Sequence, residues 1–434
     1  MQDPTDRQLE RLPVLVFAAL GLVLVVGVLA TTSSTQGQDP PSWYPRSDAA
    51  GAPAVDTSSS TATPAPAGPS TSVDPGPTPN GSDPAPTLTS EGSPSAGLGG
   101  GGGVTAPGWR LAAGLPANQG ALSGVEVVAA GGTETFIAAG ADRHGVLVLA
   151  STGPDSWRDL PREGLPPESY ARAVAATQDV VVVAGADATG PAVWELAGGS
   201  WRSASADDAG EGRVAFADLA VRNGTWVLVG FHAEGTGFWV RTPESERFAA
   251  VAPRAVTGSA AEQVLVREVV ATDAGFVAVG QAGGRAVRWS SVDGVGWSGE
   301  LLVAGEGATA MGVTADGETI VGYDGVGGVL WTQRDGERIL VRLPVPSGAP
   351  QIADAVATRS GRTLVVGVEA GAVRCWETDD AVRAPQRCEG STALDSASSI
   401  GAVVAHRGGF LGVGQIQSEG TPDGQVGVWA LALG

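Results

Sequence analysis

The stretch REVVATDAGFVAVGQAGGRAVRWSSVDGVGW, residues 267–297, carries the pattern that decides the fold. A short apolar run, REVVAT, is followed after turn residues by FVAVG, ending at Gly280. A third run then carries Trp289, Asp293-Gly294 makes a turn, and Trp297 marks a fourth run. Short β-branched and aromatic runs separated by turn residues read as antiparallel strands joined by hairpins.

The glycine-ended run recurs along the chain. FIAAG ends at Gly140, VVVAG at Gly185, WVLVG at Gly230, TIVG at Gly322, LVVG at Gly367 and FLGVG at Gly414, at intervals of about 45 residues. Each follows another apolar run, such as VEVVAA, RAVAAT, ADLAV, DAVAT or GAVVA. Asn223-Gly224, Asp316-Gly317, Ser360-Gly361 and Gly408-Gly409 supply the positive φ that tight hairpins need. The third strand carries an aromatic at a fixed place, Trp194, Trp239, Trp289, Trp331, Trp376 and Trp429, with Leu149 in the first unit. Trp157, Trp201, Phe248 and Trp297 mark the fourth strand. Four strands per unit, repeated seven times, predict an all-β fold, a seven-bladed β-propeller spanning 108–434 whose tryptophans pack between blades. The last unit stops at GVWALALG without a fourth strand, and GWRLAAGLP at 108–116 matches SWRDLPREGLP at 156–166. The N-terminal strand is therefore expected to close the last blade and remove a sheet edge.

Ahead of the repeats, residues 1–11 form a short polar segment and Leu12–Ala30 is nineteen residues without a charge, the length of a membrane-spanning helix. A cleaved signal peptide ending at Val28-Leu29-Ala30 is the competing reading. Arg7 and Arg11 precede the run and the next basic residue is Arg46, which predicts a cytoplasmic N-terminus and a single-pass protein with its C-terminal domain outside the cell. Residues 31–107 are rich in Pro, Ser, Thr and Gly, a linker composition that cannot bury enough surface to fold. Such a stalk spans roughly 50 Å as a coil and up to about 240 Å when extended. The formal net charge of -20, with no lysine and scattered arginines, excludes a nucleic-acid surface. The abundance of Ala, Gly, Val and Pro fits a bacterial envelope setting. Cys375 and Cys388 lie on facing strands of one hairpin, and outside the cytoplasm they are expected to form a disulfide that closes a ~14-residue loop, worth about 3 kcal/mol.

SSVDGVGW at 290–297 resembles the Asp box of the sialidase-type (BNR-repeat) propellers: Ser291, Asp293, Gly294 and Trp297 keep the residue types, with one residue fewer between Asp293 and Trp297 than the full motif has. Ser151, Asp155 and Trp157 form a poorer copy. In that family the box is a turn between the third and fourth strands, away from the catalytic face, so the resemblance implies fold. A sialidase site would also need an arginine cluster, a tyrosine–glutamate pair and an acid/base aspartate. None is placed by motif, and no catalytic residue is assigned; a sialidase-like glycoside hydrolase is kept as the alternative function.

Candidate binding residues come from the innermost strands. Glu126, Arg172, Glu268 and Asp354 stand two residues before a shared valine, with Asp218 one place off. Strand alternation points that set one way, into a central channel. It is expected to be either a self-satisfying salt-bridge ring or a receptor for a cation or a basic ligand group. Tyr323 follows a second strand and is expected to reach the ligand-facing loops with Asp142-Arg143-His144, His232, Glu234 and a long loop at 415–425. His144, His232 and His406 share no metal-ligand spacing, so neither metal nor cofactor is expected. The sequence thus predicts a membrane-tethered binding or scaffolding module whose loop face takes a protein or cell-wall glycan ligand. A purely structural spacer is the third reading.

Overall fold

The computed structural model describes residues 109–112, 120–130, 132–207, 214–232, 237–254, 264–344, 351–378, 385–388, 391–418 and 421–432. The expected anchor at 12–30 and stalk at 31–107 lie outside them. Among the described residues no helix is long and apolar enough to cross a membrane.

Among the described residues the first strand is β1 (Trp109–Leu111), and consecutive antiparallel meanders follow. Strands β2–β5 are Gly120–Ala130, Thr133–Asp142, Gly145–Ser151 and Arg158–Asp159; β6–β9 are Tyr170–Ala176, Val180–Asp187, Gly190–Ala197 and Ser200–Ala206. Strands β10–β13 are Val214–Arg222, Thr225–His232, Phe238–Arg241 and Arg247–Val251; β14–β17 are Val264–Thr272, Gly275–Ala282, Arg285–Ser291 and Ser298–Leu301. Strands β18–β21 are Thr309–Val313, Ile320–Tyr323, Gly328–Arg334 and Glu337–Arg342; β22–β25 are Gln351–Arg359, Arg362–Glu369, Ala372–Thr378 and Gln386–Arg387. A 3-10 turn, Ser391–Ser396, leads into β26–β28, Ala397–His406, Gly409–Ser418 and Thr421–Ala432. β1 completes this last sheet: Trp109 pairs with Leu431, Arg110 with Ala430 and Leu111 with Trp429.

The first strand of each meander packs against the first strand of the next. β2 meets β6, β6 meets β10, and the series continues through β14, β18, β22 and β26, which returns to β2. Strands arranged in this way stand side by side around a common axis, the architecture of a β-propeller. The expected 415–425 loop is instead drawn into the sheet, because β27 and β28 keep pairing out to Ser418 and Thr421.

The recurrent glycine has a steric cause. In each meander the first strand carries a β-bulge opposite this glycine, so one extra residue bends the strand there. At the bulge the first strand crosses so close that a Cβ on Gly140, Gly185, Gly230, Gly280, Gly322 or Gly414 would lie 1.8–2.1 Å from a backbone carbonyl oxygen. Only a residue without a side chain fits under that crossing.

The third-strand aromatics fill the seams. Trp194 shares a buried cluster with Val146 and Val148 of the preceding meander, Trp239 with Val182 and Val193, and Trp289 with Val229 and Phe238. Trp331 lies with Val277 and Val279, Trp376 with Val321 and Leu330, and Trp429 with Val366 and Val373. Leu149 of the first meander lies with Val413 and Val428 of the last. Each seam is thus a dry contact between the third strand of one meander and the second and third strands of its neighbour. Removing one such indole costs about 3–5 kcal/mol.

Gly280→Ala is expected to lower stability by about 3 kcal/mol or more, because the added methyl group meets the Leu265 carbonyl oxygen at 2.0 Å and backbone must move. Gly153→Ala, where the added Cβ meets nothing within 4 Å, should stay within about 0.5 kcal/mol of wild type. Equilibrium urea unfolding checks both.

Candidate functional site

The bulges decide where the inner-strand side chains point. The extra residue is Ser123 in β2, Arg172 in β6, Ala217 in β10, Arg267 in β14, Met311 in β18, Asp354 in β22 and Gly401 in β26. Arg172 and Asp354 therefore occupy the bulge position itself, Glu268 follows it by one residue, and Glu126 follows its own bulge by three. The expectation that these four form one row is corrected: the bulge resets the alternation, and Asp218, read as one place off, stands in the same position as Glu268. The Arg172 side chain is exposed, and that of Asp354 lies outside the described ones.

Asp218 and Glu268 have a repeated structural task. A first strand lies at the inner edge of its sheet, where part of its backbone N–H groups lacks a ladder partner. The Val269 N–H of β14 donates to Asp218 Oδ2 of the preceding meander at 2.8 Å, and the Val313 N–H of β18 donates to Glu268 Oε2 at 3.2 Å. In the first meander the equivalent residue is Gly124, and a Cβ there would sit 3.3 Å from Val174 N, along the same approach. Acidic residues on the inner strands thus link neighbouring meanders.

Burial, and after it the Asp218 charge, push the Glu126 carboxyl up to about 8, opposed by the Val127 N–H. Burial likewise lifts Asp218 to about 7, opposed by the N–H groups of Val269 and Leu219. As like charges they oppose each other's ionisation, so both carboxyls resist losing their protons towards neutral pH.

The face that carries the second-to-third-strand turns is held by aspartates. Burial raises the Asp142 carboxyl, but Arg162 forks onto it at 2.8 and 2.7 Å and the His144 N–H donates at 2.8 Å, which together hold it below the usual carboxylate range. Asp324 is buried in the same manner, accepting from Val326 N and Gly327 N at 2.9 Å each and from Arg342 at 2.6 Å. Tyr323, expected to reach the loops, is the last residue of β19, and Tyr170 is the first of β6. The Tyr323 hydroxyl donates to the Gly325 carbonyl at 2.8 Å, and Tyr170 is exposed on the same face. Val303 and Val326 are 69 % and 76 % exposed here. Their loops touch, since a Cβ on Gly325 would meet the Glu306 carbonyl oxygen at 2.7 Å. Glu234 lies outside the described residues.

On the opposite face, the polar groups of the 290–297 turn are consumed by the turn itself. Asp293 Oδ1 accepts from Gly296 N and Val295 N at 2.9 Å each, and these N–H groups hold its carboxyl low. Ser291 Oγ accepts from Gly294 N at 2.9 Å, and Trp297 Nε1 donates to the Gly294 carbonyl at 2.6 Å. The turn seats Trp297 in the seam and leaves Val292 and Val295 exposed. The histidines stand apart in role: His144 is in a turn, His232 lies beside Trp239, and His406 meets Phe136 across a seam at 5.2 Å. Among the described residues no three His, Cys, Asp or Glu side chains are grouped to hold a metal.

Because the folded chain keeps protons on Glu126 and Asp218 that the unfolded chain has already released, these groups stabilise the fold at pH 5 and lose that contribution as pH rises towards 8. The E126Q/D218N variant keeps a side-chain oxygen for Val269 N. It is expected to lose less stability than wild type between pH 5 and pH 8.5, by at least about 1.4 kcal/mol in urea unfolding. Equal losses would place the proton elsewhere.

No protein-family model and no curated protein matches the chain. Among solved structures it is similar to YCF48 from Cyanidioschyzon merolae, with a TM-score of 0.50 and 14 % identity over 75 % of this chain and 99 % of that one. The β-propeller domain of the trilobed protease from Pyrococcus furiosus gives a TM-score of 0.42 and 12 % identity over 73 % of this chain and 94 % of that one. A GH74 enzyme from Niastella koreensis gives 0.44 and 11 % over 70 % and 51 %. At 14 % identity the likeness to YCF48 is one of fold alone.

Proposed function

We propose that the chain is a membrane-tethered, extracellular seven-bladed propeller that acts as a binding or scaffolding module, its turn-rich face taking a protein or cell-wall ligand. The exposed side chains of Val303 and Val326, on two loops that touch beside the Asp324–Arg342 ion pair, are the observation that carries this reading. Large apolar side chains exposed on loops among charged groups are what binding surfaces present. Three other positions are occupied with structural work: Asp218 and Glu268 cap the next meander, and Asp293 spends its acceptor on the 290–297 turn. The closed ring of seven blades is supported by the return of β26 to β2 and by the pairing of β1 with β28. The apolar run at 12–30 supports the membrane anchor, and the Cys375–Cys388 disulfide suits an oxidising compartment.

A photoactivated cross-linking residue placed at Val303 or Val326 of the full-length protein in its native membrane tests this. Discrete adducts are expected from both positions and not from Val292, which is 77 % exposed on the opposite face. Equal labelling from the two faces contradicts the assignment.

A further inference from the structure

The meander β22–β25 has a fourth strand of only two residues, paired as Trp376–Arg387 and Glu377–Gln386. Beyond that pairing Cys388 N donates to the Cys375 carbonyl at 3.1 Å, and the disulfide joins the two side chains. Cys388 opens the segment that leads into the 3-10 turn Ser391–Ser396. That turn packs against β1, and its Leu394 is buried in one cluster with both cysteines, Trp429 and Trp109. The Trp429 Nε1–H donates to the Ala393 carbonyl at 3.1 Å, and Arg374 pairs with Asp395 at 3.2 Å.

Trp109 is what holds β1. The strand pairs through three residues, with Ala112 N donating to the Val428 carbonyl at 2.8 Å. Its ion pair, Arg110 with Asp155, is about half exposed on both sides and adds little. The Trp109 indole is 4 % exposed and lies over Gly412, where an added Cβ would touch the ring at 3.5 Å. The pocket floor is therefore a glycine, and its cover is the segment fastened by Cys388.

We propose that the Cys375–Cys388 disulfide is a redox latch on ring closure: its reduction frees the cover over Trp109 and lets β1 leave β28 while the other meanders remain folded. A dithiol reductant supplies the two electrons and two protons, giving two cysteine thiols and the oxidised, cyclic dithiol. Reduction leaves a ladder of two residue pairs and the Cys388 N–H bond to the Cys375 carbonyl, so the cover is then held by non-covalent contacts alone. The latch goes beyond the binding role proposed above and holds whatever the turn-rich face binds.

Hydrogen–deuterium exchange on the full-length chain tests this, comparing the oxidised protein, the dithiothreitol-treated protein and the C375S/C388S variant. Amides at 109–112 and 385–396 are expected to exchange at least tenfold faster in the treated protein and in the variant, with β14–β16 unchanged, and the variant should not respond to dithiothreitol. Unchanged exchange at 109–112 in the variant overturns the latch. So does a uniform loss of protection across all meanders, in the variant or in the treated wild type, since that is general destabilisation rather than release of one strand.

Discussion

Everything in this domain follows from one close crossing. At Gly140, Gly185, Gly230, Gly280, Gly322 and Gly414 the bulged first strand passes over the second, with no room for even a methyl group between them. The crossing bends the first strand towards the axis and fixes which of its side chains face the neighbouring meander. It also sets the pitch at which the next meander must lie. A glycine repeated at this point is therefore the structural unit of the fold, and the aromatic of the third strand is what fills the seam the crossing creates.

With the seams dry, the charges have to be settled at their edges. Glu195 shows this at the outer rim: it is 4 % exposed, accepts from Arg241 of the next meander at 2.5 Å and from Arg202 at 2.6 Å, and Arg241 in turn lies over the rings of Trp226 and Phe248. At the inner rim Asp218 and Glu268 take backbone N–H groups of the following meander, and at the first-to-last seam Glu134 accepts from Arg407 N at 3.1 and 3.0 Å. These are carboxylates used as fasteners.

Much of the architecture was legible in the sequence because it rests on spacing. The glycine-ended runs, the third-strand aromatics and the match between GWRLAAGLP and SWRDLPREGLP each mark a backbone requirement that few residues meet, and Trp109 lies buried in β1 as that match implies. The two cysteines were legible for the same reason, as facing positions of one hairpin. The inner-strand set was not. The bulge residue is Ser, Arg, Ala, Arg, Met, Asp or Gly in successive meanders, so nothing in its identity reveals the extra residue, and alternation counted through it arrives on the wrong side. Glu126, Arg172, Glu268 and Asp354 were grouped by that count, and the fold sets them at three different positions relative to the bulge. Cross-seam capping by Asp218 was equally hidden, because it depends on a neighbour some fifty residues away.

The central claim is that the seam between the last and first meanders is built and loaded like the internal ones. A double-mutant cycle across it measures this directly, pairing Phe136→Ala with His406→Ala, whose rings meet edge-to-face at 5.2 Å. The reference is the internal pair Phe238 and Trp289, edge-to-face at 5.7 Å. A closed ring predicts a coupling of about 0.5–1.5 kcal/mol in both cycles. Additive losses at Phe136 and His406 beside a coupled internal pair would show the ring to be open and contradict the account.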